Sequence, residues 1–308
     1  MRLCFFVQNH LGPEVPARLV RALGHGEGSR FVLVGHDEQA GHASAAEVAA
    51  RLGVPAFPFA ERARRGYWSL IAPYFQAIDW FAAHGVDYDW LVYLSGQDYP
   101  TQPLAAFEAR LAGESYDGYL RLWPAWGEGT PWERRRQGIV RYRMQYFDLH
   151  GVPALLLRGL HALNGAQRGV HFHLTYGPRV GLRWPRDPFR HGLACWAGKQ
   201  WTILARAATE RLSAAVASHP ELLRWFARTV CPDEAVVQSL LVAAGGLRLC
   251  GDDLRYADFQ SCHDGHPRLL DERDLPSLLD PRVFFARKFD PVGAPAVLDR
   301  LDQRILVA

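Results

Sequence analysis

The chain has 308 residues, 49% hydrophobic and 22% charged, with 35 Lys and Arg against 32 Asp and Glu. That length suffices for one large domain or two small ones, and the composition excludes a disordered or fibrous protein. A net charge of only +3 with no basic stripe argues against a nucleic-acid partner.

Leu3–Val7 reads as a first strand rather than a signal segment, followed by a helix over Pro13–Leu23, a strand over Arg30–Val34 and a helix over Ala43–Leu52. A short strand near Ala56–Pro58, a helix over Ser69–His84 and a strand over Trp90–Leu94 come next. This alternation is that of βαβ units and predicts an α/β fold with a mostly parallel central sheet flanked by helices. Residues 120–190, rich in Trp, Arg and Tyr with weak periodicity, are expected to be irregular loops and short helices covering a site. Regular structure resumes at Gly198–Arg206 and a helix over Ala207–Ser218. A further helix is opened by Cys231-Pro232-Asp233-Glu234 and closed by Gly245-Gly246, and a strand follows near Leu247–Cys250. No repeat or linker divides the chain, so a single domain is expected over 1–308, with 1–115 as a nucleotide-binding half and 116–308 as an acceptor-side and catalytic half.

Five widely spaced cysteines without a paired motif signal neither a disulfide framework nor structural zinc, and a reducing cytoplasm is the simplest setting. No apolar run reaches the ~18 residues of a membrane span, because Arg158 interrupts Val152–Leu163. The protein is expected to be soluble or peripheral to a membrane.

In an open α/β sheet, ligands bind beyond the carboxyl ends of the strands. That singles out Asn9-His10, His36-Asp37 and Ser95-Gly96-Gln97-Asp98 as a nucleotide crevice. Glu234 is the candidate base: with Pro232 at the first helical position it falls in the first turn, where the helix dipole favours a carboxylate, although a plain helix-starting role fits the same place. Arg287 and Lys288, flanked by aromatic residues and joined by His263, His266 and Arg268, are cations suited to a leaving phosphate, or to ion pairs with Asp290 or Asp280. Lys199 and Lys288 are the only lysines among 35 basic residues, which points either to places where a compact ammonium is wanted or to chance. Asp87-Tyr88-Asp89 precedes its strand and lies at the wrong end for a metal, leaving Asp252-Asp253 as a weaker metal candidate. His171-Phe172-His173 lacks the HExxH pattern of zinc hydrolases, and no P-loop, dinucleotide fingerprint or GxSxG elbow occurs.

Five segments are informative as an ordered set: Arg65-Gly66-Tyr67-Trp68-Ser69, Leu94-Ser95-Gly96-Gln97-Asp98-Tyr99-Pro100, Gly198-Lys199-Gln200-Trp201-Thr202-Ile203-Leu204, Cys231-Pro232-Asp233-Glu234, and Phe284-Phe285-Ala286-Arg287-Lys288-Phe289-Asp290. Together they resemble the core-2/I-branching β-1,6-N-acetylglucosaminyltransferases and peptide O-xylosyltransferases, particularly short bacterial members. The resemblance implies a GT-A-like fold and inverting transfer of N-acetylglucosamine or xylose from a UDP-sugar to an acceptor hydroxyl. It implies no cofactor and no divalent metal, since the metal-binding Asp-x-Asp of related folds is absent. It assigns the base to Glu234 and the diphosphate to Lys288 with Arg268 or Arg287. Donor contacts are expected at Asn9, Asp37, Arg65, Trp68, Ser95, Gly96, Asp98, Gln200 and Trp201. The acceptor side is expected to hold Glu133, Arg135 and Arg141 with Trp123, Trp126 and Trp132, since aromatic faces stack on sugar rings. The membrane stem and disulfides of animal members have no counterpart here, so their compartment and glycoprotein acceptors are not carried over. Two other readings stay open: a two-carboxylate glycoside hydrolase pairing Glu234 with Asp98 or Asp258, and a carbohydrate-binding protein with a degenerate site.

Overall fold

A computed structural model describes residues 1–132, 136–162, 164, 169–190, 193–259 and 266–305. The first part of the chain alternates β1 (Leu3–Asn9), α1 (Glu14–Leu23), β2 (Arg30–His36), α2 (Ala45–Leu52), β3 (Ala56–Pro58), α3 (Ala72–Ala83) and β4 (Trp90–Ser95). Next come β5 (Asp98–Pro100), α4 (Leu104–Gly113), β6 (Gly118–Pro124), α5 (Gln137–Tyr142), β7 (Met144–Asp148), α6 (Ala154–Ala162), β8 (Val170–His173) and β9 (Arg179–Arg183). The remainder is β10 (Trp196–Ala205), α7 (Arg206–Ser218), α8 (Pro220–Phe226), α9 (Val236–Ala244), β11 (Leu249–Cys250), β12 (Arg255–Ala257), α10 (Leu275–Leu278), β13 (Phe285–Arg287) and α11 (Ala296–Ile305).

The central sheet has seven strands in the order β11-β6-β10-β4-β1-β2-β3, and β10 alone runs against its neighbours. The α/β architecture with a mostly parallel sheet is therefore the one the sequence predicts. β1 and β4 are buried at every position, which explains why they read as continuous apolar runs rather than alternating ones. Successive side chains still point to opposite faces. Leu3, Phe5 and Val7 enter a core with α1, α4 and α11, while Cys4 and Phe6 enter one with α3, α7 and α9.

Three expectations need correction. Residues 120–190 are not mainly loops: they contain β6 and a separate antiparallel sheet of order β7-β9-β8. Its strands are four or five residues long and carry His and Arg, so their alternation is easily lost. The helix expected over Ser69–His84 begins at Ala72, after a one-turn 3-10 segment at Trp68–Leu70. The helix expected to open at Pro232 starts at Val236. Pro232–Glu234 is its own 3-10 turn, set off by Ala235 with φ −149° and ψ −30°. The first-turn helix-dipole rationale for Glu234 therefore fails, since the dipole of α9 begins beyond it.

Candidate active site

The parallel strands place Asn9, His36-Asp37 and Ser95 at one edge of the sheet, as the crevice reading requires. Several of these side chains turn out to be braces. Asn9 Nδ2 donates to Leu11 O at 2.7 Å and lies 3.1 Å from His36 Nδ1. Asp37 accepts the backbone N–H of Gln39 at 3.1 Å and of Ala63 at 2.9 Å, one on each oxygen, which fixes the loop carrying Arg62–Arg65 to the end of β2. Ser95 Oγ accepts from Gln97 N at 3.2 Å. Gly96 sits where a Cβ would lie 2.7 Å from Asn9 Oδ1, so this turn takes no side chain without displacing Asn9.

Asp98 is buried and is a counter-ion rather than a free donor contact. Arg255 pairs with it and donates to Tyr93 O at 3.0 Å, and Arg287 Nε lies 3.4 Å away, brought there by the β13–β5 register that sets Arg287 opposite Asp98. Both guanidinium groups lie over the Trp201 ring, at 5.1 Å for Arg255 and 4.2 Å for Arg287. Burial pushes the Arg287 pKa down and the Asp98 charge opposes it. Removing either partner of such a buried pair strands a charge, at a cost of about 3–5 kcal/mol. This pairing also removes Asp98 as the second carboxylate of a hydrolase.

Trp201 reaches this cluster through an irregularity in β10. The register with β6 shifts between Gly198 and Thr202, a bulge that re-aims Lys199, Gln200 and Trp201. Gly198 permits it, since a Cβ there would lie 1.8 Å from the Arg121 carbonyl oxygen. Gln200 Nε2 donates to Tyr93 Oη at 2.6 Å and to Gln8 Oε1 at 3.3 Å, an internal network rather than an open polar group. Burial lowers the Lys199 pKa, with Asp253 opposing that shift. Arg121 binds both neighbouring carboxylates, Asp253 at 3.1 Å and Asp252 at 3.4 Å. Asp252-Asp253, the remaining metal candidate, is thus answered by a protein cation. Among the described residues, no group of three or more His, Cys, Asp and Glu side chains is placed to hold a metal ion.

The Pro232–Glu234 turn is held from three sides. Cys231 adopts φ 54° and donates its N–H to Gly66 O at 3.2 Å, and Glu234 N donates back to Cys231 O at 3.1 Å. Gly66 has φ +78° with the Tyr176 ring 2.5 Å from a hypothetical Cβ, so the approach of this loop to the turn requires glycine. Arg141 Nη1 binds Glu234 Oε2 at 2.5 Å, and the Arg141 guanidinium lies 5.1 Å over the Trp132 ring. Glu234 keeps 35% of its side chain exposed. Asp233 beside it is enclosed: burial first, then the Glu234 charge, raise its pKa to about 7. Arg62, Arg64, Arg65, Tyr67, Tyr176 and His266 line an adjacent cavity of about 540 Å³ with no carboxylate among its described lining. Arg65 stacks on Tyr176 at 5.1 Å, and its charge is felt by both Asp233 and Arg287.

Other expected positions fall as follows. The His10 pKa is lowered first by desolvation and then by the Lys288 charge, and the residue after Lys288, Phe289, donates its N–H to Gln97 O at 2.9 Å beyond the end of β4. Arg268 is bound by Asp258 at 2.6 Å and by Asp274, so its charge is already balanced and Asp258 is no open carboxylate. Trp68 stacks on Phe75 at 5.7 Å as core packing. Trp132 donates to Ala125 O at 2.8 Å and meets Trp123 edge-on at 5.7 Å, while Trp126 lies under Arg143 at 5.3 Å. Glu133, Arg135 and His263 lie outside the described residues. Arg255, Arg121 and Asp233 went unrecognised in the sequence. Only the Asp252-Asp253 pair, in the turn just before Arg255 and β12, hints at charge in that segment.

No known family profile matches the chain, and no curated protein does. Sugar-nucleotide proteins are among the solved structures it is similar to. Residues 1–349 of S. aureus TarS are 10% identical, with a TM-score of 0.36 over 82% of this chain and 58% of that one. The same fragment in complex with UDP gives 11% and 0.33 over 82% and 68%. A nucleoside-diphosphate-sugar pyrophosphorylase from Vibrio cholerae gives 11% and 0.34 over 80% and 89%. The chain spans 25% of a longer TarS structure and 58% of the TarS fragment, less than two thirds of either. Among the described residues, no helix is long and apolar enough to cross a membrane.

Proposed function

We propose that this chain is a GT-A-like, inverting, metal-independent glycosyltransferase that moves N-acetylglucosamine or xylose from a UDP-sugar to an acceptor hydroxyl. The observation that carries the reading is Glu234: a partly exposed carboxylate oriented by Arg141, in a turn that Cys231 hydrogen-bonds to Gly66 of the arginine-rich loop lining the cavity, at the ligand edge of an α/β sheet. Residues 1–115 supply the nucleotide crevice, and residues 116–308 supply the base and the acceptor side.

Glu234 accepts the proton of the acceptor hydroxyl as its oxygen attacks the anomeric carbon. The bond from that carbon to the phosphate oxygen breaks on the opposite face, and UDP leaves with the electron pair. Lys288 and Arg287 stabilise the charge arriving on the diphosphate, with Arg65 beside them. The acids at the crevice support metal independence by their pairing, because Asp98, Asp252, Asp253 and Glu234 each already face an arginine. The buried pairing of Asp98 disfavours the hydrolase reading.

The test is UDP release from UDP-N-acetylglucosamine and UDP-xylose with a panel of sugar acceptors, with and without EDTA, and NMR of the product anomer. Turnover unaffected by EDTA with inverted configuration is expected. Dependence on added manganese or magnesium, or a retained anomer, overturns the mechanism.

A further inference from the structure

Helix α6, Ala-Leu-Leu-Leu-Arg-Gly-Leu-His-Ala, is sparsely covered among the described residues. Of its described side chains only Leu160 is half-buried, while Leu155 is 82% and Leu156 55% exposed. Its far end is tied to β8, where His161 Nδ1 lies 2.8 Å from Phe172 O and Asn164 makes two 2.8 Å bonds to the backbone of Phe172. Trp184, at the end of β9 in the same small sheet, is 43% exposed between exposed Arg183 and Arg186, and the three help line a cavity of about 630 Å³.

Charge singles out the same region. Between Asp148 and Asp187 the chain has five arginines, no lysine and no acidic residue, so this stretch carries +5 in a protein of net charge +3. Arg158, Arg183 and Arg186 are exposed, whereas Arg179 is buried against Asp148. Leucines, a tryptophan and arginines without interspersed carboxylates are the residue types by which a surface helix lies in a lipid interface, the cations meeting headgroup phosphates.

We propose that α6 and the β7-β9-β8 sheet form a docking surface for an anionic phospholipid bilayer. The other face of that sheet packs Met144 and Tyr146 against Val230 and Cys231, immediately before the Pro232–Glu234 turn, so docking brings the candidate base toward the lipid headgroups. Leu155, Leu156, Trp184, Arg183 and Arg186 are not among the residues lining the candidate cavity, which the β8–β9 turn meets at Thr175 and Tyr176, and the test does not require turnover.

Vesicle co-flotation is the test, with phosphatidylglycerol-containing vesicles against pure phosphatidylcholine at low and physiological salt. Binding to the anionic vesicles, weakened by salt, is expected. The double substitution Leu155→Ser with Leu156→Ser, and separately Arg183→Glu with Arg186→Glu, should each weaken it about tenfold or more while leaving circular dichroism and UDP release unchanged. Absence of flotation by the folded parent protein overturns the proposal. So does flotation that both variants retain, or a solution dimer that the leucine substitutions split without any vesicle binding, which would assign the surface to a second copy of the chain.

Discussion

Asp233 and Glu234 are adjacent in one turn yet electrostatically opposed. Glu234 shares its charge with Arg141 at the protein surface, whereas Asp233 is enclosed, and burial followed by the Glu234 charge raises its pKa from 3.8 to about 7. Between those values the folded protein holds a proton that the unfolded chain has released. Stability from this group is therefore fully present below about pH 4 and is lost as pH rises toward 7. Asp233→Asn removes the titration, so the parent should lose stability relative to the variant across that window, read as denaturation midpoints against pH. Parallel curves for the two proteins would show that Asp233 does not hold the proton.

At the scale of elements, the bulge in β10 is the feature that most shapes the crevice. It turns Lys199, Gln200 and Trp201 out of regular register, and it exists because Gly198 rests on the Arg121 carbonyl. Gly198→Ala should destabilise the protein by about 1–3 kcal/mol through overpacking and should weaken UDP binding by shifting Trp201 from the Arg255–Arg287 pair. Chemical denaturation and UDP titration check this, and parent-like values in both would show the bulge tolerates a side chain. The strands β1, β2 and β4 and the helices between them were legible in the sequence because apolar runs and turn residues bound them locally. The bulge was not, since a register shift of two residues keeps the alternation of β10 in phase and leaves its apolar pattern almost unchanged. The β7-β9-β8 sheet was missed because its short strands carry His and Arg on the alternating positions. Glu234 was found for a reason that the fold does not support: Ala235 breaks the chain between its turn and α9, and what orients Glu234 is Arg141, ninety-three residues away.

Across the whole molecule, the acids of the ligand edge are matched by arginines drawn from distant segments: Asp98 by Arg255 and Arg287, Asp253 by Arg121, Glu234 by Arg141. No local sequence window reveals such pairings, which is why Asp98 reads as a ligand contact in the sequence and proves to be a buried counter-ion. Glu234 stays partly exposed although paired with Arg141, in the turn bonded to the arginine-rich loop, and it is proposed as the base. The direct test is Glu234→Gln, whose amide oxygen can still accept from Arg141 but which takes no proton from an acceptor. With a donor and acceptor pair that the parent uses, kcat should fall about 100-fold or more while the dissociation constant for UDP stays unchanged. A folded Glu234→Gln protein that transfers sugar at the parental rate would contradict the account.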